Sequence, residues 1–538
     1  MAQRNHQTST RQERSSGFVH DLESVLPKGY QFQTHHLSTP PTVCDALCQP
    51  PTLPSAAGSG KRRPTKPPKT YCEKHFLAIS VDSKSGDARD QVLVLGLEIY
   101  LYTTAFSTII FVAKADSTGY LSTLDLPKGT PSPIREVTTT FVKYLVRTRH
   151  RKGTQLVVNL FARSQDQYLF PGSVKNTKKH VLDDRGLIKW WCRVVNGLLE
   201  DDSVQKDLSG GCSRVHGHLL IPGLDTYETR AFIPRTATAP TNWTLAHPLE
   251  HISPYAANPS VYGSSIPPRC LIPTFPDDPK ARFVEELEEA TPQNLKTAGR
   301  WRGPQNLDEF WEMMAFRQEC SSGRMTGFIW VVFDPVSRLS LTSKILAGDD
   351  GQDSNKKGKG RKKSKLRGHI RPRAPKVKTT RAKFPKKTET SHYTWPESGR
   401  GQVILDEDGY KRAVELLLHL EFKELTVATT STMRWLKEVN VGKDWSLQIT
   451  GRRDPAVGQA PSEAGSQTVN NLSGMIRKKR TADAPAEDSS AKILDAGLVR
   501  KKPKTETAPE AVASGGPIGT GNVNVLSTGL VRKKPKTS

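Results

Sequence analysis

Two long apolar runs dominate the hydrophobic pattern. QVLVLGLEIYLYTT (91–104) and TIIFVAKAD (108–116) carry β-branched and aromatic residues at successive positions. This predicts two adjacent strands deep in a sheet, the second ending at Asp116. TQLVVNLFAR (154–163) predicts another strand. Helices are predicted around EVTTTFVKYLV (136–146), around RGLIKWWCRVVNGLL (185–199) and after the FPDD stretch at 275–278. FVHDLESVLP (18–27) predicts a short amphipathic helix, and YKRAVELLLHLEFKEL (410–425) sets Val414, Leu417, Leu418, Phe422 and Leu425 on one helical face. Strands alternating with helices give an α/β (mixed α+β) expectation, a central mixed β-sheet surrounded by helices.

Polar stretches divide the rest of the chain. Residues 1–17 are expected to be disordered, and PPTLPSAAGSGKRRPTKPPK (50–69) to be a loop dense in Pro, Gly and basic residues. A basic tract interrupts the globular domain without ending it, since the 410–425 pattern lies beyond it. The domain is expected over 18–345 and 393–454, with a disordered insertion at 346–392. The tail, 455–538, contains no Phe, Tyr or Trp and is expected to be disordered. Within it SGMIRKKRT (473–481), AGLVRKKPKT (496–505) and TGLVRKKPKT (528–537) repeat one pattern, in units too short and too irregularly spaced for a solenoid. Two compatible readings are import signals recognised by importin, and linear motifs whose apolar pair joins a partner's sheet edge while the basic run meets an acidic surface.

Charge sharpens this division. The 538 residues carry a formal net charge of +25, of which +14 falls in 351–390 and +6 in 455–538, leaving only +5 on the other 414. The folded part is nearly balanced, and its arms suit nucleic acid or acidic proteins. Seven cysteines form no CxxC pair, so no zinc site is expected, and reduced thiols in an intracellular compartment fit better than a disulfide framework. The N-terminal MAQRNHQTSTRQERSS has no apolar signal region, and no stretch approaches the roughly 20 apolar residues that span a bilayer. No membrane partner is expected. Basic clusters such as RKKSK favour the nucleus.

Two stretches carry candidate chemistry. FPDDPKARF (275–283) places Asp277 and Asp278 before Pro279 and Lys280. Asp followed by Pro is a natural helix start, with Asp278 as the N-cap; paired acids next to a lysine also suit proton handling. YLFPGSVKNTKKHVLDDRGLIKWW (168–191) crowds Lys175, Lys178, Lys179 and His180 into a loop before a helix, an arrangement suited to phosphate or to a solvated surface. Trp190 and Trp191 follow, as core residues or as the wall of a site.

These residues together resemble the fungal histone acetyltransferases known as "regulator of Ty transposition", which modify lysine fifty-six of histone H3. The matching stretches are SVLP (24–27), LEIYLY with FVAKADSTGY (97–120), QYLFPGSVKNTKKHVL with KWW (167–191), IPGLD (221–225), FPDDPKARF and the RKKPK tail. The resemblance implies a fold similar to the CREB-binding-protein acetyltransferases, with acetyl-coenzyme A (acetyl-CoA) as cosubstrate. It implies cofactor contacts from a KAD turn, here Ala115, Asp116 and Ser117, and from Phe161, Tyr168, His180, Val181, Leu182 and Trp190. LSTLDLPKGTPSPI (121–134) is longer than the family's cofactor loop, and Arg135 is taken as a further contact. The catalytic region would comprise Asp278, with Asp277, Asp116 and Trp191 nearby, and Lys280 would be an autoacetylated lysine. Implied partners are histone H3–H4 and two histone chaperones, one of the anti-silencing type and one of the nucleosome-assembly type. The reading from another class is a nonenzymatic chromatin-binding scaffold that uses the basic segments alone.

Overall fold

In the computed structural model the described residues run from Ser16 to Asp454, apart from 55–61, 65, 84–89, 209–211, 256–265, 298–299, 318–319, 321–322, 337–384, 386 and 441–443. The expectations for residues 1–15, for most of the basic insertion and for the repeat-bearing tail lie outside them.

The strands are β1 (Gln31–Ser38), β2 (Thr42–Cys44), β3 (Thr52–Pro54), β4 (Arg62–Pro64), β5 (Thr70–Asp82), β6 (Gln91–Thr103), β7 (Ser107–Ser117), β8 (Gln155–Ala162), β9 (Cys212–Leu220), β10 (Trp243–Thr244), β11 (Gly327–Pro335), β12 (Val403–Ile404) and β13 (Leu447–Thr450). The longer helices are α1 (Ser16–Val25), α2 (Pro133–Arg149), α3 (Asp184–Leu199), α4 (Pro279–Ala290), α5 (Leu307–Ala315), α6 (Glu407–Leu418) and α7 (Leu425–Val439). An 11-stranded sheet follows the order β10-β9-β11-β8-β7-β6-β5-β1-β12, with β13 paired to β1 and β2 to β5. It is mixed: β7 and β8, β1 and β12, and β9 and β10 run parallel, and the other pairs antiparallel. The parallel step from β7 to β8 needs a long crossover, which α2 supplies.

The predicted strands sit where their composition requires. β6 is buried along nearly its whole length, with neighbours on both sides. Side-chain alternation divides β11 between two cores. Ile329, Val331 and Phe333 join the main one, whereas Phe328, Trp330 and Val332 face a second core built with α4 and α5. The main core is filled from α1, α2, α3, α6 and α7.

Several local expectations change. The single helix over 410–425 is two: α6 ends at Leu418, and α7 begins at Leu425. Phe422 lies in the link, fully buried, where its amide donates to the Pro171 carbonyl at 2.8 Å, and Leu418 is 38% exposed. Burial of Phe422 against Phe170, at 5.0 Å between ring centroids, therefore replaces the helical stripe. The loop expected at 50–69 holds the short β3–β4 pair. Beyond the basic insertion the chain is again described from Lys387, and His392 and Tyr393 pack against Tyr71.

Candidate active site

The carboxyl ends of the parallel strands β7 and β8 open into a cavity of about 780 Å³. Ligand sites favour such crevices in sheets, and the size falls within the usual range. Its walls are the last residues of β7 and β8, the 119–135 connection into α2, the 163–182 loop, and one face of α3. Sequence reasoning singled out Ala115, Asp116, Ser117, Arg135, Phe161, Tyr168, His180, Val181, Leu182, Trp190 and Trp191, and all line it. Ala115–Ser117 form the end of β7 and not a turn; the turn follows at Gly119, whose φ is +88°. A side chain there would also meet the Lys179 backbone, since a Cβ would lie 2.6 Å from its nitrogen.

Asp116 organises the wall opposite. One carboxylate oxygen accepts from the amides of Tyr168, Leu169 and Phe170 at 2.7, 2.9 and 3.3 Å. The other accepts from its neighbour's amide, Ser117, at 2.8 Å and from Lys179 Nζ at 2.9 Å. Lys179 also reaches Ser173 Oγ at 2.8 Å. With its oxygens committed to these donors, Asp116 braces the 168–179 loop. Tyr168 donates its hydroxyl to the Arg163 carbonyl, and burial pushes that phenol up to about 12, so it stays protonated at neutral pH. Asp184 ties the loop's far end down, accepting from the Ser164 amide at 2.7 Å and from Arg324 Nε at 2.9 Å.

The lining has the chemistry of a two-part ligand. Leu160, Phe161, Leu187 and the edge-to-face pair Trp190–Trp191, 4.8 Å between centroids, form an apolar channel. Arg135, Arg163, Lys178, Lys179 and Arg193 supply cations, and the first turn of α2 contributes Ile134 and Arg135 beside its N-cap Ser132. Arg163 Nε is buried at this wall with no hydrogen-bond partner among the described residues. Helix N-termini and guanidinium groups suit phosphate, and an aromatic channel suits a thin acyl-bearing arm. Residues 121–126 and Ser132, which the sequence left unassigned, contribute Leu121, Ser122, Asp125, Leu126 and Ser132 to the wall. Arg135 is shared with Glu136, at 3.0 Å.

The FPDD stretch lies beside this lining. Asp278 is the N-cap of α4, as its sequence indicates, accepting from the Lys280 amide at 3.0 Å with Pro279 in the first turn. Its carboxylate and the Lys280 ammonium form a fully buried ion pair, and burial pushes the Asp278 carboxyl up. The ammonium also sits 4.7 Å from the Phe328 ring centre and 5.8 Å from that of Phe275. Phe275 stacks on Phe111 at 4.3 Å, and Phe111 contacts Phe161, whose ring lines the cavity. Asp277, Asp278 and Lys280 are outside the lining itself. The polar link between the two places is Lys114, which lines the cavity and lies 3.5 Å from Asp277.

Comparison with known proteins agrees with this geometry. The histone acetyltransferase KAT11-type domain matches residues 18–155 and 150–438. A histone acetyltransferase, rtt109, of Aspergillus flavus is 36% identical over 533 residues, covering 87% of this chain and 90% of its own length. Its counterpart from Schizosaccharomyces pombe is 30% identical over 269 residues, 48% of this chain and 62% of the relative. The crystal structure of Rtt109 from Aspergillus fumigatus aligns with a TM-score of 0.61 at 34% identity, over 81% of this chain and 99% of that one. The mixed sheet with surrounding helices is thus the acetyltransferase fold shared with the CREB-binding protein. The chain belongs to the KAT11-type histone acetyltransferase family and is an enzyme of that class.

Proposed function

We propose that the cavity at the ends of β7 and β8 binds acetyl-CoA and that the enzyme acetylates newly made histone H3, chiefly at lysine fifty-six. The observation that carries this is the joining, in one cavity, of an aromatic channel (Trp190, Trp191, Phe161) to a cationic rim (Lys178, Lys179, Arg163, Arg193). The rim would hold the phosphates, and the channel would lead the acyl-pantetheine arm toward Lys114 and Asp277.

A lysine amine attacks a thioester only when neutral, whereas its reference pKa is near 10.4. Transfer forms the N–C bond, breaks the C–S bond, and moves one amine proton by way of the site to the departing thiolate. Asp278 is buried and held by Lys280, so its part is to fix the turn and balance the Lys280 charge. Asp277, with a 62% exposed side chain, is the carboxylate open to an incoming ammonium. Acetylation of Lys280 would remove the counter-charge of Asp278, which ties that modification to the state of the site.

Anti-silencing-type and nucleosome-assembly-type chaperones would deliver H3–H4, with the basic insertion and tail meeting these acidic carriers and the tail also serving import into the nucleus. The test is acetylation of chaperone-bound H3–H4 by the full chain, with mass spectrometry of the product, beside Asp278→Asn. Acetylation at lysine fifty-six, about tenfold or more slower in the folded variant, is expected. A folded wild-type protein that leaves the histone unmodified would overturn the reading and leave the scaffold alternative.

A further inference from the structure

Lys114 is the residue by which strand β7 reaches the FPDD turn. It immediately precedes Ala115–Ser117, lines the cavity, and stands opposite Glu98 in the β6–β7 register. Glu98 is a buried carboxylate, its side chain only 2% exposed, 3.3 Å from Lys114 Nζ. It is itself fixed by the hydroxyls of Tyr100, at 2.9 Å, and Tyr410, at 3.2 Å. The lysine is therefore held from behind by a rigid acceptor.

In front of Lys114 stands Asp277, 3.5 Å away. Its φ is +59°, in the left-handed region that residues with a Cβ seldom adopt. Most of its side chain faces solvent, so packing does not impose this conformation. Among the described residues Lys114 supplies its ion pair, and Asp278 follows directly in sequence. Two carboxylates thus share one ammonium, leaving a net negative charge at the edge of the cavity. An incoming substrate ammonium would be attracted there, while Lys114 keeps Asp277 from collapsing toward the positive rim.

We propose that Lys114, anchored by Glu98, is a positioning residue for acyl transfer: it holds the Asp277 turn at the cavity edge, so that the histone lysine is presented to the acyl group. This rests on the acetyl-CoA reading of the cavity.

The experiment uses the full chain with chaperone-bound H3–H4 and follows acetyl-CoA affinity and histone kcat/KM separately. Lys114→Met should lower kcat/KM for histone about tenfold or more while acetyl-CoA affinity stays within about twofold, and Lys114→Arg should recover most of the loss. Asp277→Asn removes the charge yet tolerates the left-handed backbone, and should give a similar loss. The double variant should be no worse than either single, because the two residues act as one unit. Wild-type kinetics in Lys114→Met, additive losses in the double variant, or equal loss of cofactor affinity without rescue by arginine would each overturn the proposal. A wild-type chain that binds no acetyl-CoA would instead overturn the reading of the cavity on which it depends.

Discussion

At the scale of single residues, acids that look alike in sequence have separate tasks. Asp278 was legible because a cap is local: the Asp–Pro pair fixes both the acceptor and the first helical residue. Its pairing with a buried Lys280 was not derivable from composition, since it requires the aromatic walls of Phe275 and Phe328. Asp116 shows the reverse. The resemblance placed it at the cofactor, but only the fold shows that its charge is spent on three loop amides and Lys179. Asp116→Asn would leave Lys179 without its counter-charge and turn an amide hydrogen toward other donors. Breaking such a pair costs on the order of 3–5 kcal/mol. Hydrogen exchange should therefore show amides of 168–179 losing at least about tenfold protection while β6 is unchanged. Unaltered protection of that loop would contradict the bracing role.

At the scale of elements, the strands the hydrophobic pattern missed are those with polar residues inside. β1 reads QFQTHHLS, yet Thr34, His35, His36 and Ser38 are all buried. β5 buries Glu73 and His75. Each polar group is answered at long range: Arg149 donates to Glu73 at 2.6 and 3.0 Å, His75 contacts Glu73 at 2.9 Å, and His36 contacts His75 at 2.8 Å. Such partners cannot be read from a window of local sequence. By contrast β6, β7 and β8 are apolar throughout and were visible at once. The polar strands carry a pH dependence. Burial lowers His35 to about 3, against an ordinary value near 6.5, so it stays neutral in the fold and takes up a proton on unfolding in acid. Its contribution to stability is intact above about pH 6.5 and is lost as the pH falls below it. Denaturant titrations between pH 7.5 and 5.5 should show a shallower loss in His35→Gln, by up to about 1.4 kcal/mol per pH unit at the acid end. Parallel pH profiles for the two proteins would rule this out.

At the scale of the whole molecule, the site is an assembly of distant segments. The cavity draws on residues from 95 to 193, while the α4 turn beside it comes from 275–280 and closes against Lys114. The mixed sheet brings them together because α2 returns the chain to lay β8 parallel to β7, bringing their carboxyl ends to one side. Sequence pattern revealed the strands and helices that make this scaffold. Which residues meet across the cavity came through the resemblance, and the separate contribution of the 121–132 connection only through the fold. The basic segments lie largely outside the described residues, and their proposed roles in delivery and import add to the site without forming it.

The central claim is that this cavity takes acetyl-CoA. The most direct measurement is calorimetric titration of acetyl-CoA into the full chain and into Trp190→Ala, with circular dichroism confirming that both are folded. One-to-one binding by the wild type, weakened about tenfold or more in the variant through loss of an aromatic wall, is the result the account predicts. No binding by the folded wild-type chain, or equal affinity in both proteins, would contradict it.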